Sequence, residues 1–242
     1  MKKIVLAPNP YRDRGLALTM EAKSLLERDG FEVVISPTFV DVPSDSRMQP
    51  LLQAAEGAEL IITLGGDGTM LHVARRVLTL GVPMMGVNVG TKGFMASVEP
   101  ENLPLVRRAA AGEYRRSERM MLAVALSRDG ADIVSDHALN DAVVKSDVNC
   151  VDLMVSSDGE SIACFSGDGV ICATPTGSTA YSMSAGGPIV EPEAENIVVT
   201  PICAHSMSAR SFVLSPGRIV TITPRHRDNR RVFLSVDGSE PV

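Results

Sequence analysis

The run Glu59-Leu60-Ile61-Ile62-Thr63-Leu64-Gly65-Gly66-Asp67-Gly68-Thr69-Met70-Leu71 constrains this chain more than any other stretch of it. Unbroken apolar or β-branched residues from Leu60 to Leu64 predict a strand buried on both faces, the habit of a parallel sheet. Glycines at 65, 66 and 68 then surround one carboxylate, and Met70, Leu71, Val73, Ala74, Val77 and Leu78 recur at helical spacing. A strand, a glycine turn and a helix start together collect phosphate. Glycine permits close backbone approach, and the first amides of a helix face outward with the positive end of its dipole. The sequence is neither the fingerprint G-x-G-x-x-G nor a Walker loop with its Lys-Ser/Thr. Asp67 is the unusual member. A carboxylate inside such a cradle would repel a phosphate, so it suits a hydroxyl that attacks phosphorus, or a metal beside it. A tight turn with Asp67 as helix cap is the plainer alternative.

Around that turn the chain alternates. Strands are expected at 3–7, 31–36 and 83–89, and helices at 16–29, 48–55 and 100–112. The alternation predicts a Rossmann-like parallel α/β domain, on which ligands gather at the carboxyl ends of strands, where Asp67 and Asn88 fall. Near residue 114 the character changes. Short strands at 120–126, 153–155, 197–203, 211–214, 219–223 and 232–236 follow, with Asp129-Gly130 and Asp158-Gly159 marking hairpins. The expected architecture is an α/β domain over 1–113 and an all-β domain of β-sandwich type over 114–225.

A net charge of −6 leaves no global basic field for nucleic acid or an anionic membrane. Phosphates would have to meet local amides, arginines or magnesium. Met1-Lys2-Lys3 opens too short an apolar run for a secretory core, and no 18-residue apolar stretch exists, so a cytoplasmic protein is expected. Cys150, Cys164, Cys172 and Cys203 lack C-x-x-C spacing and read as reduced core thiols. Arg107, Arg108, Arg115, Arg116 and Arg119 read as a solvated helix face and linker, and 225–231 as an exposed hairpin loop.

Two stretches of the β-rich half carry chemistry. Asn140-Asp141 sets an amide beside a carboxylate before an apolar strand; the pair can bond vicinal sugar hydroxyls and an adenine edge, or simply form an Asx turn. The segment from Phe165 through Ser166, Asp168 and Thr174-Pro175-Thr176-Gly177-Ser178-Thr179-Ala180-Tyr181 to Pro188 runs a buried strand into a hydroxyl-rich turn. Its hydroxyls and amides suit a nucleotide, and Tyr181 offers a ring face.

Together these stretches resemble the NAD kinase family. The resemblance rests on G-G-D-G-T at Gly65–Thr69, N-x-G-x-x-G-F at Asn88–Phe94, E-R-M-M-L at Glu118–Leu122 and L-N-D at Leu139–Asp141. It continues in G-D-G at Gly167–Gly169, T-P-T-G-S-T-A-Y at Thr174–Tyr181 and T-P-I-C-x-H-S at Thr200–Ser206. The first motif is shared with lipid kinases and phosphofructokinases; the T-P-T-G-S-T-A-Y block and the order of the set are specific. The resemblance implies phosphorylation of NAD at the adenosine 2′-hydroxyl, with ATP or polyphosphate as donor and magnesium as cofactor. It also implies a site between the domains, homodimers or homotetramers, and a tail over about 226–242 that returns to the first domain.

Carried residue by residue, the resemblance makes Asp67 the base that takes the hydroxyl proton. Gly65, Gly66, Gly68 and Thr69 would cradle phosphates, and His72 would contact NAD. Asn140 and Asp141 would hold the adenosine moiety, Asp168 with Ser166 the nicotinamide end, and Tyr181 would stack near it. Thr176, Thr179, Ala180 and Ser184 would line the adenine and ribose pocket. Lys92 stands where a small apolar residue is usual, Asp141 where glutamate is commoner, and Ser239 where a glutamine often follows Asp-Gly. A lipid kinase and a non-catalytic NAD(P)-binding regulator are the competing readings.

Overall fold

A computed structural model describes residues 1–40, 48–90, 93–146, 150–206, 209–225 and 231–242. The readings made for Lys92, for the turn-rich 41–45 and for most of the 225–231 loop lie outside these residues. The chain divides into two compact units, Met1–Arg116 and Ser117–Val242.

The first unit is built on β1 (Lys3–Pro8), α1 (Ala17–Arg28), β2 (Glu32–Ile35), α2 (Leu51–Ala55), β3 (Leu60–Gly65), α3 (Asp67–Val77), β4 (Met84–Asn88) and α4 (Leu105–Ala110). The strands lie in the order β2-β1-β3-β4, every pair parallel. Alternation explains why β1 and β3 read as continuous apolar runs. Ile4, Leu6, Leu60, Ile62 and Leu64 point to one face, against Ala22 and Leu26 of α1 and Val106, Ala109 and Ala110 of α4. Val5, Ala7 and Ile61 point to the other, against Ala54 and Ala55 of α2 and Val73 and Val77 of α3. Both faces are covered, so β1 and β3 are almost wholly apolar; the buried exception in β3, Thr63, turns its hydroxyl to the Met85 carbonyl at 3.4 Å. Each buried Ile or Leu contributes about 1.5–3 kcal/mol. α1 stops where Gly30, at φ 84°, and Phe31 return their amides to Glu27 and Leu26 carbonyls at 3.0 and 3.2 Å, a Schellman close. Because β1 has β2 on one side and β3 on the other, the chain reverses direction across the sheet at their carboxyl ends.

The second unit holds β5 (Leu122–Arg128), β6 (Ala131–Ala138), β7 (Asp141–Lys145), β8 (Val151–Ser157), β9 (Glu160–Gly167), β10 (Gly169–Ala173), α5 (Tyr181–Ser184), β11 (Ile197–Ile202), β12 (Phe212–Leu214), β13 (Val220–Pro224) and β14 (Phe233–Val236). These form antiparallel sheets β12-β11-β10-β7-β14, β13-β8-β9 and β5-β6. One core, including Leu122, Val151, Leu153, Phe165, Val170, Val199 and Leu234, draws on all three. Asp129-Gly130 and Asp158-Gly159 take positive φ at both positions, the requirement of a type I′ hairpin. The four cysteines are not all core thiols, contrary to expectation. Only Cys172 is buried; Cys150 is half-buried, and Cys164 and Cys203 are exposed. Cys164 lies in β9, where alternate residues face opposite ways, and Cys150 and Cys203 lie just outside the ends of β8 and β11, beyond the buried run. No described helix is long and apolar enough to cross a membrane.

Candidate functional site

In the first unit the glycines of the central turn do different work. A Cβ on Gly65 would lie 2.2 Å from Thr69 Oγ1, so packing alone demands glycine. Gly66 and Gly68 have nothing within 4 Å of that position, and neither has a positive φ. No contact among the described residues requires glycine at these two; the open space lies at the start of α3, where Thr69 N–H already turns to the Gly66 carbonyl at 2.9 Å and the amides before it face outward. Asn9, just beyond β1, donates to the Leu64 carbonyl from its backbone at 2.9 Å and to Thr69 Oγ1 from its side chain at 3.3 Å. Between Pro8 and Pro10, just past the strand expected at 3–7, Asn9 carries no sequence signal of that role.

Asp67 does not cap its own helix. Gly66 holds the cap position without a side-chain bond. The Asp67 carboxylate instead accepts the backbone N–H groups of Phe94 at 2.8 Å, Met95 at 3.1 Å and Ala96 at 3.1 Å. A Cβ on Gly93 would stand 2.2 Å from Asp67 Oδ1. The loop is anchored in turn on β4: Asn88 N–H donates to the Val98 carbonyl at 2.7 Å, and Val98 N–H to Gly86 at 3.1 Å. Three amides fill most of the roughly four acceptor positions of a carboxylate and fix its plane. Asn88 Oδ1 is buried and has no partner among the described residues.

His72, one turn along α3, packs its ring on Phe39 with centroids 4.1 Å apart. Burial, then the charges of Arg76 and Arg75, pushes it down to about 4, so the imidazole is neutral at physiological pH. Its buried Nε2 has no partner among the described residues. A neutral ring with one unmet nitrogen is suited to a ligand hydrogen bond.

The second unit brings two of the predicted stretches together. β7 and β10 pair antiparallel with Asp141 opposite Ala173, which sets Asn140-Asp141 against Thr174–Tyr181. Thr174 donates to the Asn140 carbonyl from its backbone at 2.8 Å and to the Leu139 carbonyl from Oγ1 at 2.6 Å. A Cβ on Gly177 would sit 2.0 Å from the Asn140 carbonyl oxygen. Not every hydroxyl of the segment is available to a ligand: Ser178 bonds the Pro175 carbonyl at 2.6 Å, and Ser182 meets Thr200 at 2.9 Å. Thr179 and Ala180 are half-buried, while Tyr181 and Ser184 are exposed. Thr176 is buried and accepts from Arg119 Nη1 at 3.3 Å, so one arginine of the supposed linker reaches the segment.

Asp141 is 5% exposed, and burial followed by the charge of Asp237 pushes its carboxyl up to about 6. Asp168, just before β10, and Ser166, near the end of β9, lie beyond the other end of β10, about 17 Å of strand away. Asp168 is exposed between two glycines that packing demands: a Cβ on Gly167 would lie 2.8 Å from the Ile202 carbonyl, and on Gly169 2.4 Å from that of Val144. Ser166 donates to Asp152. Cys150 lies 3.9 Å from Asp168 and 3.5 Å from His205 Nε2, and a hydrogen bond to Asp168 raises the Cys203 thiol. Among the described residues no group of three or more His, Cys, Asp or Glu is placed to hold a metal ion.

Known proteins match both units. The family profile for the ATP-NAD kinase N-terminal domain covers residues 4–114, and that for the ATP-NAD kinase C-terminal domain covers 140–242. NAD kinases of Geotalea daltonii and Symbiobacterium thermophilum are 38% and 40% identical to the chain, over 98% and 100% of it and 84% and 86% of their own lengths. Among solved structures, yeast NADH kinase complexed with NADH superposes with a TM-score of 0.86 at 28% identity, covering all of this chain and 76% of the other. An NAD kinase from Archaeoglobus fulgidus in complex with ATP gives 0.78 at 25%, covering all of this chain and 86% of the other. The chain belongs to the NAD kinase family.

Proposed function

We propose that this chain phosphorylates NAD at the adenosine 2′-hydroxyl, with ATP or polyphosphate as donor, and that Asp67 is its base. The observation that carries the assignment is the seat of Asp67: a carboxylate held by three amides at the start of α3, beside glycines open to solvent. A fixed carboxylate with one acceptor position left can take a proton from one hydroxyl while that hydroxyl attacks phosphorus. The helix start and the amides at Gly66 and Gly68 would hold phosphate oxygens in line. Asn140 and Asp141 would bind the adenosine, Asp141 accepting from ribose hydroxyls, and His72 would donate or accept at Nε2. Asp168 with Ser166 would take the nicotinamide end, and Tyr181, Thr176, Thr179, Ala180 and Ser184 would line the rest.

A divalent cation, magnesium in the first instance, fits this reading. Such a cation binds largely through substrate phosphates and water with few protein oxygens, and the unpartnered Asn88 Oδ1 is one such oxygen. When bound it would neutralise charge on the transferring phosphoryl group. A cytoplasmic location and a homodimer or homotetramer belong to the same proposal; light scattering of the purified protein tests the latter. The activity is tested by coupled NADP formation with NAD, magnesium and either ATP or polyphosphate, with NADH as a parallel acceptor. Magnesium-dependent NADP is the expected result. NAD binding without NADP from either donor would overturn the reading in favour of a regulator.

A further inference from the structure

Asp237 lies far along the chain from every residue assigned above, in the Asp-Gly pair that follows β14. β14 runs antiparallel to β7 with Val236 opposite Ala142, which delivers Asp237 to the start of β7. There its carboxylate accepts three consecutive backbone N–H groups: Leu139 at 2.8 Å, Asn140 at 2.8 Å and Asp141 at 3.0 Å. Its own N–H donates to the Asp141 carbonyl at 2.9 Å. Asp237 adopts φ 49° and Gly238 φ 71°, a tight turn that aims the side chain inward. Ser239 stabilises that turn, its N–H donating to the Val236 carbonyl at 2.9 Å and its Oγ accepting from Val236 N–H at 3.1 Å.

We propose that Asp237 is a positioning residue for NAD recognition, holding the backbone of residues 139–141 so that Asn140 and Asp141 face the adenosine together. The proposal rests on the assignment of that pair to NAD. Three amides on one carboxylate leave the segment little freedom, and Thr174 fixes the carbonyls of the same residues from the opposite side. Asp237 also sets a negative charge beside Asp141. Other charged or titratable groups on the surrounding elements are Lys145 at the far end of β7, Asp136 and His137 near the end of β6, Arg128 at the far end of β5, the Cys172 thiol on β10, Tyr181, Glu240 beyond the Asp237 turn, and Arg119, which donates to Thr176. β10 and residues 174–184 carry no charged residue. An ionised Asp141 accepts from two hydroxyls through charge-assisted bonds, whereas protonation turns one oxygen into a donor and weakens them, so a neighbouring charge that raises its carboxyl moves the pH at which NAD binding weakens.

The test is steady-state kinetics and direct NAD binding for the wild type, Asp237→Asn, Asp237→Ala and Asp141→Asn, with thermal melting of each. Asp237→Asn tolerates the positive φ and keeps one oxygen; it carries the test if the alanine variant does not fold. For Asp237→Asn we expect KM for NAD to rise about tenfold with KM for ATP within a factor of about two. The acid limb of kcat/KM for NAD should move to lower pH, because the charge that raises Asp141 is gone. In the wild type, NAD affinity should fall as pH drops through about 6. A folded Asp237→Asn with unchanged KM for NAD and an unchanged pH profile would overturn the proposal. So would equal losses for NAD and ATP that track only the folded fraction. If Asp141→Asn leaves KM for NAD unchanged, the assignment of the pair to NAD is what failed, whatever Asp237 does.

Discussion

Two carboxylates in this chain make the same bonds for different ends. Asp67 accepts the N–H groups of Phe94, Met95 and Ala96; Asp237 accepts those of Leu139, Asn140 and Asp141. In the first unit the clamped carboxylate is itself the candidate base, and the loop it grips serves to hold it still. In the second the clamped carboxylate is the scaffold, and the residues it grips carry the candidate contacts. Three consecutive amides on one side chain are thus a way to fix geometry, not a sign of which partner does the chemistry.

Asp67→Asn should separate the roles most sharply. Asparagine keeps the size but turns one oxygen into a donor that opposes an amide and cannot take a proton. We expect kcat to fall about 10²–10⁴-fold, with KM for NAD changed little. NADP formation over a range of NAD checks it, and wild-type kcat would remove Asp67 from the base role. The corresponding change at 237 is expected to act on KM.

Gly93→Ala attacks the same clamp from the loop side. The added methyl would lie 2.2 Å from Oδ1 and 2.4 Å from Cγ of Asp67, so the carboxylate must move. An expected loss of about 10–100-fold in kcat follows from displacing a positioned base. Combining it with Asp67→Ala sharpens the test: without the carboxylate the stability cost of Gly93→Ala should largely disappear, a coupling that melting curves of the four proteins would show. Additive costs would mean that the loop, not the carboxylate, dislikes the methyl.

At the second clamp the equivalent change is Gly177→Ala. Its methyl meets the Asn140 carbonyl oxygen at 2.0 Å and carbon at 2.5 Å, backbone that Asp237 and Thr174 already hold. The strain should cost about 1–3 kcal/mol of stability and raise KM for NAD several-fold, leaving KM for ATP alone. An unaltered KM for NAD would show that the turn beside Asn140 does not govern recognition.

Much of this was legible in the sequence. Leu60–Leu64 announced a strand covered on both faces, and the observed alternation between two cores is why. Asp129-Gly130 and Asp158-Gly159 announced hairpins because few residue pairs tolerate positive φ twice. The glycine turn with Asp67 and the Thr174–Tyr181 block stood out for their chemistry. What stayed hidden was who holds whom. Asp67 meets its amides 27 to 29 positions away, and Asp237 meets its own 96 to 98 away. Backbone N–H groups are common to every residue except proline, so no side-chain pattern at 94–96 or 139–141 could mark them as partners. Arg119 and Asn9 were missed for a related reason, since each reaches its threonine only after the sheets form.

The two carboxylates also differ in what they cost the folded chain. Asp67 has its charge solvated by amides, whereas Asp141 is buried with its carboxyl pushed up to about 6 from an ordinary 3.8. Between those values the folded chain holds a proton that the unfolded chain has released, so stability falls as pH rises from about 4 to about 6 and then levels. An ionised Asp141 in the free protein therefore costs on the order of 3 kcal/mol at neutral pH. Asp141→Asn removes the titration. The variant should gain on the wild type by most of that amount between pH 4 and pH 7, a shift of a few degrees in melting temperature, even as its affinity for NAD drops. Denaturant unfolding of both proteins at the two pH values measures the difference. A gap that does not change with pH would mean that Asp141 keeps its charge without cost, and that the second carboxylate is as well solvated as the first.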